Sequence, residues 1–220
     1  GEIIITSQDL HKPIYEFFKR ILDVICSVVA LIVLSPAFLV TALAVRSDGG
    51  PAFYKQTRVG KNNTHFEMYK FRSMCVDSEK NGARLASKHD SRITPVGHVL
   101  RNLHLDELPQ LFNVFMGDMS LVGPRPERDV IMQEYEQEIP EFHYRLKVKA
   151  GLTGYAQVYG KYNTTPYDKL KLDLFYIENY SFLLDIKLLF MTVKIFFQKE
   201  VSEGVDDNQK NALKDSEDKK

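Results

Sequence analysis

The chain is short of several features that would place it quickly. It holds two cysteines in 220 residues, Cys26 and Cys75, too few for a disulfide framework or a cysteine metal cluster. Cys26 lies in an apolar run and reads as a small packed hydrophobe; the pair suits a reduced, cytoplasm-facing protein. Net charge is absent too, with 29 basic against 29 acidic side chains, so no global field draws the chain to nucleic acid and no such partner is expected. There is no internal repeat, which excludes solenoids and propellers. The long apolar run near the N-terminus has no small-residue cleavage site after it, so a removed signal peptide fits poorly. Apolar content is also scarce over residues 199–220, which read as a disordered charged tail. What remains, 44% hydrophobic and 26% charged, suits one domain with a real core. The first residue is Gly, so a preceding region stays open.

The apolar run covers residues 21–45, "ILDVICSVVALIVLSPAFLVTALAV". As one helix it would reach about 37 Å, enough for a hydrocarbon core of about 30 Å. Ser35 and Pro36 interrupt it. Proline removes a helical hydrogen bond and clashes with the preceding turn, and a serine hydroxyl can bond back to the backbone and add to the bend. The two halves are about 21 Å and about 14 Å long, and neither spans alone. Lys12, Lys19 and Arg20 precede the run; Arg46, Lys55 and Arg58 follow it. Positive charge marks the cytoplasmic side, and here both flanks carry it. The economical reading is a re-entrant helix-break-helix; a single kinked transmembrane helix is the alternative. Asp23 is expected to pair with Arg20, three residues earlier.

Residues 51–74 read as a hairpin, two β-prone runs around the turn signal "GKNNT". Residues 76–92 read as loop with a helical piece. Helices are expected over 95–103 and 107–116, then a loop through "MSLVGPRPE", an amphipathic helix in "ERDVIMQEYEQEI", and glycine-punctuated loop and strand over 145–162. "YDKLKLDLFYIENY" is helical by pattern. Residues 182–197 are apolar almost all round, which fits either a buried helix or one lying in a membrane interface.

The densest chemistry lies in residues 103–127, "LHLDELPQLFNVFMGDMSLVGPRPE". Leu108, Leu111, Phe112 and Phe115 share one helical face, and Gly117 fits just past the end. Asp106 would then sit near the N-cap, where a carboxylate accepts a backbone N–H. It is a cap alone, or a cap whose position also serves reactivity. A helix N-terminus would keep Asp106 ionised, and an ionised carboxylate can attack phosphorus to form an acyl phosphate. Attack on a polyanionic diphosphate needs help from a divalent cation and basic donors. Oxygen ligands suit Mg²⁺, which takes one or two protein carboxylates, here Asp106 and Glu107. Candidate donors to phosphate are Lys70, Arg72, Arg101 and Arg125; Arg125, between Pro124 and Pro126, would lose little backbone freedom on binding.

Four segments together carry a family resemblance: "KRILDVICSVVALIVLSPAF", "GGPAFYKQTRVGKNNTHFEMYKFRSM", "LRNLHLDELPQLFNVFMGDMSLVGPRPE" and "KVKAGLTGYAQVYG". In this order the chain resembles the monotopic phosphoglycosyl transferases, or bacterial sugar transferases, over residues 12–198, and in its C-terminal half the catalytic domain of the longer members. The resemblance implies that Asp106 takes a sugar-1-phosphate from a UDP-sugar as a covalent phosphoglycosyl-aspartate, releasing UMP. Polyprenol (undecaprenyl) phosphate then takes the phosphosugar, which initiates glycoconjugate or polysaccharide synthesis. Glu107 would be the dyad partner, Mg²⁺ the metal, and Lys70, Arg101 and Arg125 would bind phosphate or shape the pocket. His104 departs from the pattern, which has a small hydroxyl residue there.

The fold class expected is α+β: a mostly helical, membrane-associated domain with an N-terminal re-entrant helix-break-helix, a small β-hairpin and interfacial helices. The divisions are an extension over 1–11, a re-entrant membrane helix over 12–46, a cytoplasmic catalytic domain with interfacial helices over 47–198, and the tail over 199–220. Such a protein would lie monotopically on the cytoplasmic face of a bacterial inner membrane, touching membrane lipid, with a homodimer possible by analogy with longer members. Asp168, Asp173 and the loop 151–162 are candidates for sugar recognition, with glucose or galactose preferred. Two rival readings stand beside this one. A metal-dependent glycosyltransferase would release UDP, but its usual Asp-x-Asp triplet is missing. A non-catalytic membrane scaffold would transfer nothing.

Overall fold

In a computed structural model the chain is described over residues 12–47, 49–78, 90–160 and 164–196. The expected N-terminal extension, the tail over 199–220 and most of the polar stretch 76–92 lie outside the described residues.

Helix α1 spans Pro13–Val33 and α2 spans Ser35–Arg46, with Leu34 between them. Pro13 opens α1, where a missing N–H costs nothing. The two helices meet at a 63° bend. Pro36 has no N–H for the Ile32 carbonyl four residues back, and the Ser35 hydroxyl donates to that oxygen instead, at 2.8 Å. The chemistry read from Ser35 and Pro36 is therefore the chemistry of the bend. Among the described residues no single helix is long and apolar enough to cross a membrane; α1 and α2 together are, by length and composition.

The polarity of this pair is inverted. Asp23, Ser27 and Thr41 are buried, whereas Ile14, Phe17, Phe18, Ile25, Ile32, Leu39, Val40 and Leu43 are exposed. Apolar surface of that extent on one pair of helices marks a contact with something other than water. The Arg20–Asp23 pair does not form. Asp23 instead accepts the backbone N–H of Leu121 at 3.0 Å, and Arg20 donates to the carbonyls of Val114 and Phe115 at 2.7 and 2.6 Å. Backbone groups at the end of α4, Gln110–Met116, claim Arg20 and a backbone N–H of the strand Ser120–Val122 claims Asp23, and helical spacing alone does not reveal such partners.

The hairpin forms as expected. β1, Phe53–Val59, pairs antiparallel with β2, His65–Phe71, from Phe53↔Phe71 to Val59↔His65. Asn62 and Asn63 turn the chain with φ of 55° and 61°, a region that asparagine enters at small cost. Then follow α3, Pro95–Asn102, capped by the Thr94 hydroxyl; a single 3₁₀ turn, Leu105–Glu107; and α4, Gln110–Met116, ended by Gly117 with φ 98°. The apolar face expected along this helix is split. Leu111 and Val114 enter the core, while Phe112 and Phe115 stay exposed on the same side of the molecule as α1 and α2.

"MSLVGPRPE" is not all loop. β3, Ser120–Val122, pairs in parallel with β4, Gly151–Thr153. Glycine is required where these segments meet: a Cβ on Gly123 would lie 2.3 Å from the Lys149 carbonyl, and one on Gly151 2.1 Å from the Gly123 nitrogen. Between β3 and β4 lie α5, Asp129–Glu138, and a 3₁₀ run, Pro140–Lys147. The chain closes with α6, Tyr155–Tyr159; α7, Pro166–Asn179; and α8, Phe182–Phe196. The class is thus α+β, mostly helical with two small two-stranded sheets among the described residues. The main core packs Val59, Met68, Val114, Met119, Phe142, Leu170, Ile177 and Leu188, and a smaller cluster joins Val45, Phe71 and Leu100 between α2, β2 and α3.

Helix α8 is neither wholly buried nor wholly exposed. Leu188 is in the core, while Leu183 and Phe190 are 79% and 74% exposed. Its buried Asp185 accepts from Tyr15, Lys19 and Tyr176 at 2.5, 2.5 and 2.8 Å. That cluster fixes α8 against α1, with every hydrogen bond to a charged acceptor.

Candidate active site

His104, in the left-handed region at φ 53°, turns the chain from α3 into the 3₁₀ turn that carries Asp106 and Glu107. Histidine is one of the few non-glycine residues enriched in that conformation. Helix α4 begins only after this turn, with Pro109 at its N-cap and no side-chain cap. Asp106 is therefore not a helix cap, and the expectation that a helix end keeps it ionised is overturned. Burial pushes the Asp106 carboxyl above its ordinary value. The neighbouring charge of Glu107 adds to the rise, and Lys70, Arg101 and His104 pull against it. Among the described residues the Asp106 carboxylate makes no hydrogen bond or ion pair.

Glu107 is its opposite. Arg125 meets it with both terminal nitrogens, Nη1 at 3.3 Å from Oε2 and Nη2 on Oε1, and Lys70 Nζ lies 3.5 Å from Oε1. This is the two-pronged geometry that guanidinium allows and ammonium does not. Burial alone would raise the Glu107 carboxyl, but Arg125 and Lys70 outweigh it and hold it well below the usual range. Burial also lowers the Lys70 ammonium, with repulsion from Arg125 adding to the effect and Glu107 opposing it.

The loop carrying Arg125 is held on several sides. Gly123 N–H donates to the Thr153 carbonyl at 2.8 Å, and Gly151 N–H to the Pro124 carbonyl at 2.9 Å. Arg145 Nη2 reaches the Arg125 carbonyl at 2.9 Å, and Arg58 Nη1 the Pro126 carbonyl at 3.1 Å. Proline stiffness is thus only part of what aims Arg125. Arg145, itself 3% exposed, is bound by Asp173 at 2.7 Å and by Glu127 at 3.4 Å. Lys169 also bonds Glu127. Burial would raise the Glu127 carboxyl; Lys169 and Arg145 bring it down to about 2. Arg58 falls to about 10, chiefly through burial, with Arg125 and Arg128 adding and Glu127 opposing.

Lys70, Arg101 and Arg125 therefore share one locality with the acid pair: Lys70 and Arg125 by contact, and Arg101 through its charge on Asp106. Three sequence candidates stand elsewhere. Arg72 is buried and donates to the carbonyls of Pro51, Val45 and Met74 at 2.8, 3.1 and 3.1 Å, so it ties the end of α2 to the hairpin and offers no hand to phosphate. Asp168 is exposed and completes the N-terminal cap of α7 with Thr165, whose hydroxyl donates to Asp168 Oδ2 at 2.9 Å. Asp173 is buried against Arg145 and out of reach of a sugar. For Arg72 backbone carbonyls, and for Asp173 a buried guanidinium, claimed a side chain that looked free in the sequence, while Asp168 serves its own helix end at the surface. Arg58, Glu127, Arg145 and Lys169 were missed. Glu127 had a signal, adjacency to the Pro-Arg-Pro loop; the others sit at positions with no pattern.

The donor set bears on a metal. Both Glu107 oxygens are engaged by cations, so Glu107 does not fit the ligand role expected of it. Asp106 is free to ligate. Among the described residues no group of three or more His, Cys, Asp or Glu side chains could hold an ion. One carboxylate suits Mg²⁺ completed by substrate phosphate and water, and does not suit a site built by protein alone.

A family profile described as bacterial sugar transferase matches residues 14–199. The chain is 45% identical over 189 residues to a UDP-N-acetylgalactosamine-undecaprenyl-phosphate N-acetylgalactosaminephosphotransferase of Aeromonas hydrophila, covering 84% of this chain and 45% of that protein. It is 39% identical over 208 residues to an undecaprenyl-phosphate galactose phosphotransferase of Salmonella typhimurium, covering 87% and 43%. An exopolysaccharide production protein of Rhizobium leguminosarum bv. phaseoli is 40% identical over 185 residues, 80% of this chain and 92% of that one. The chain thus spans less than half the length of the first two relatives and nearly all of the third.

Proposed function

The chain belongs to the bacterial sugar transferase family, and from that premise we propose that it moves a sugar-1-phosphate from a UDP-sugar to polyprenol (undecaprenyl) phosphate at a membrane surface. The observation that carries this reading is the contrast within the acid pair. Asp106 has a free carboxylate amid the charges of Lys70 and Arg101, while its neighbour Glu107 is clamped by Arg125. The free acid is the nucleophile and the clamped one holds the cations in place.

In the first half-reaction an Asp106 oxygen attacks the phosphorus that bears the sugar. The bond from that phosphorus to the bridging oxygen breaks, and UMP leaves with the electron pair. In the second, a phosphate oxygen of the polyprenol phosphate attacks the same phosphorus and the Asp106 carboxylate departs unchanged. Mg²⁺ held by Asp106 and the donor's phosphate oxygens would neutralise charge between the two phosphates. Lys70 and Arg101 would stabilise the negative charge that develops on phosphate, with the Glu107–Arg125 clamp fixing their surroundings. The names of the relatives cover hexose and N-acetylhexosamine donors, and the donor here is of that class.

The placement follows from the acceptor. A polyprenol phosphate keeps its phosphate at headgroup depth, so the nucleophile has to reach that plane from one side. The bent α1–α2 pair with its exposed apolar faces, re-entering on the cytoplasmic side, would hold it there.

The test uses UDP-sugar labelled in the sugar-bearing phosphate. Label should appear on the protein with release of UMP, and Asp106→Asn should abolish it. Release of UDP, or label that survives Asp106→Asn, would overturn the assignment.

A further inference from the structure

A pocket of about 120 Å³, lined by both charged and apolar side chains, opens beside the first half of α1 and shares no lining residue with the acid pair. Four cations line it: Lys19, Arg20, Lys61 and Lys149. Three are engaged. Lys19 holds Asp185 at 2.5 Å and the Tyr176 hydroxyl at 3.3 Å, Lys61 holds Glu16 at 3.1 Å, and Arg20 caps the carbonyls of Val114 and Phe115. Lys149, half-buried just before β4, makes no hydrogen bond or ion pair among the described residues. Burial lowers its ammonium and the adjacent Arg20 lowers it further, with Asp23 and Glu16 opposing.

A half-buried cation with no protein partner is suited to take an anion from outside. The setting says which. The residues of α1 that line the pocket alternate with Ile14, Phe17, Phe18 and Ile21, which are exposed on the adjacent face. Where that face meets lipid, the cations on the same turns of α1 lie beside it. We propose that this pocket binds the phosphate of a membrane-lipid headgroup, with Lys149 as its ion partner and Lys61 and Arg20 as flanking charges. The proposal rests on the membrane placement given above and is independent of the acid-pair chemistry.

The test reads the modification of Lys149 by an amine-reactive reagent, by peptide mass spectrometry on the full chain in neutral detergent. Lys147, exposed and two residues away, is the internal reference. Phosphatidic acid should reduce Lys149 labelling roughly tenfold once it is about ten times above its dissociation constant, with Lys147 unchanged. Lys61→Ala should raise the lipid needed about fivefold, the effect of one lysine at an anionic surface. Protection by inorganic phosphate alone would keep the site and assign it to a free anion. Equal protection by phosphatidylcholine, equal shielding of Lys147, or no protection at all would overturn the proposal. No turnover is involved, so failure here leaves UMP release and aspartyl labelling untouched, and failure of those leaves this result standing.

Discussion

The two carboxylates of the pair differ by one position and sit in opposite electrostatic states. Glu107 is held ionised by a guanidinium and an ammonium; Asp106 is pushed up by burial and by Glu107 itself. As the proposed nucleophile Asp106 would have to be deprotonated, so aspartyl labelling should fall as pH drops through a carboxyl raised above its ordinary 3.8. A single-turnover pH profile checks this, and an inflection at or below 3.8 would contradict the assigned environment. Arg125→Lys keeps the charge but loses one prong, a change of about 2 kcal/mol or roughly thirtyfold in rate; single-turnover rates should show it without a loss of folded protein by circular dichroism. Glu127 gives a stability test. Its carboxyl moves from 4.5 unfolded to about 2 folded, so its contribution, of the order of 3 kcal/mol, is complete above 4.5 and lost as pH falls toward 2. Denaturant midpoints for Glu127→Gln should therefore differ from the parent at pH 7 and converge with it in acid.

At the scale of elements, the bend between α1 and α2 depends on one absent N–H and one serine hydroxyl. Pro36→Ala restores the donor and relieves the clash of about 3 kcal/mol, so the pair should straighten. With Cys26 and Cys75 replaced, a cysteine at Lys12 and another at Ser47 should react with an impermeant thiol reagent from the same side of sealed vesicles, and Pro36→Ala should move the second out of reach. Opposite sides in the parent would remove the re-entrant reading. The elements that were legible in the sequence are those set by local chemistry: Ser35-Pro36 for the bend, "GKNNT" for the hairpin turn, the 3.6-residue period for α5 and α7. The strand β3 was not legible, because three residues pairing with a segment thirty positions on leave no local trace. The pair Asp106 and Glu107 stood out by adjacency and Arg125 by its prolines. What those residues do to one another was hidden, since Arg145 holds the backbone of a loop distant in sequence, with Asp173 behind Arg145 and Lys169 on the Glu127 side chain.

For the whole molecule, large apolar residues are left outside on α1, α2, α4 and α8, of which α1 is joined to α8 by the buried Asp185 cluster and to α4 by the Arg20 contacts. If those residues meet lipid, charge on α8 should weaken the attachment while leaving the core alone. Leu183→Lys with Phe190→Glu removes two large exposed apolar groups, and partial burial of such side chains is worth about 1 to 2 kcal/mol each. Vesicle flotation should drop accordingly, with the thermal midpoint unchanged because neither side chain is packed inside.

The guanidinium that clamps Glu107 is aimed by a loop whose restraints come from Arg58, Arg145, Gly151 and Thr153, with Asp173 behind Arg145. A growing polypeptide that has emerged only as far as Asp106 has none of the later ones. If Asp106 is the nucleophile proposed above, its clamped neighbour is set only after Asp173, midway along α7, has left the ribosome, a delay written into the order of the chain.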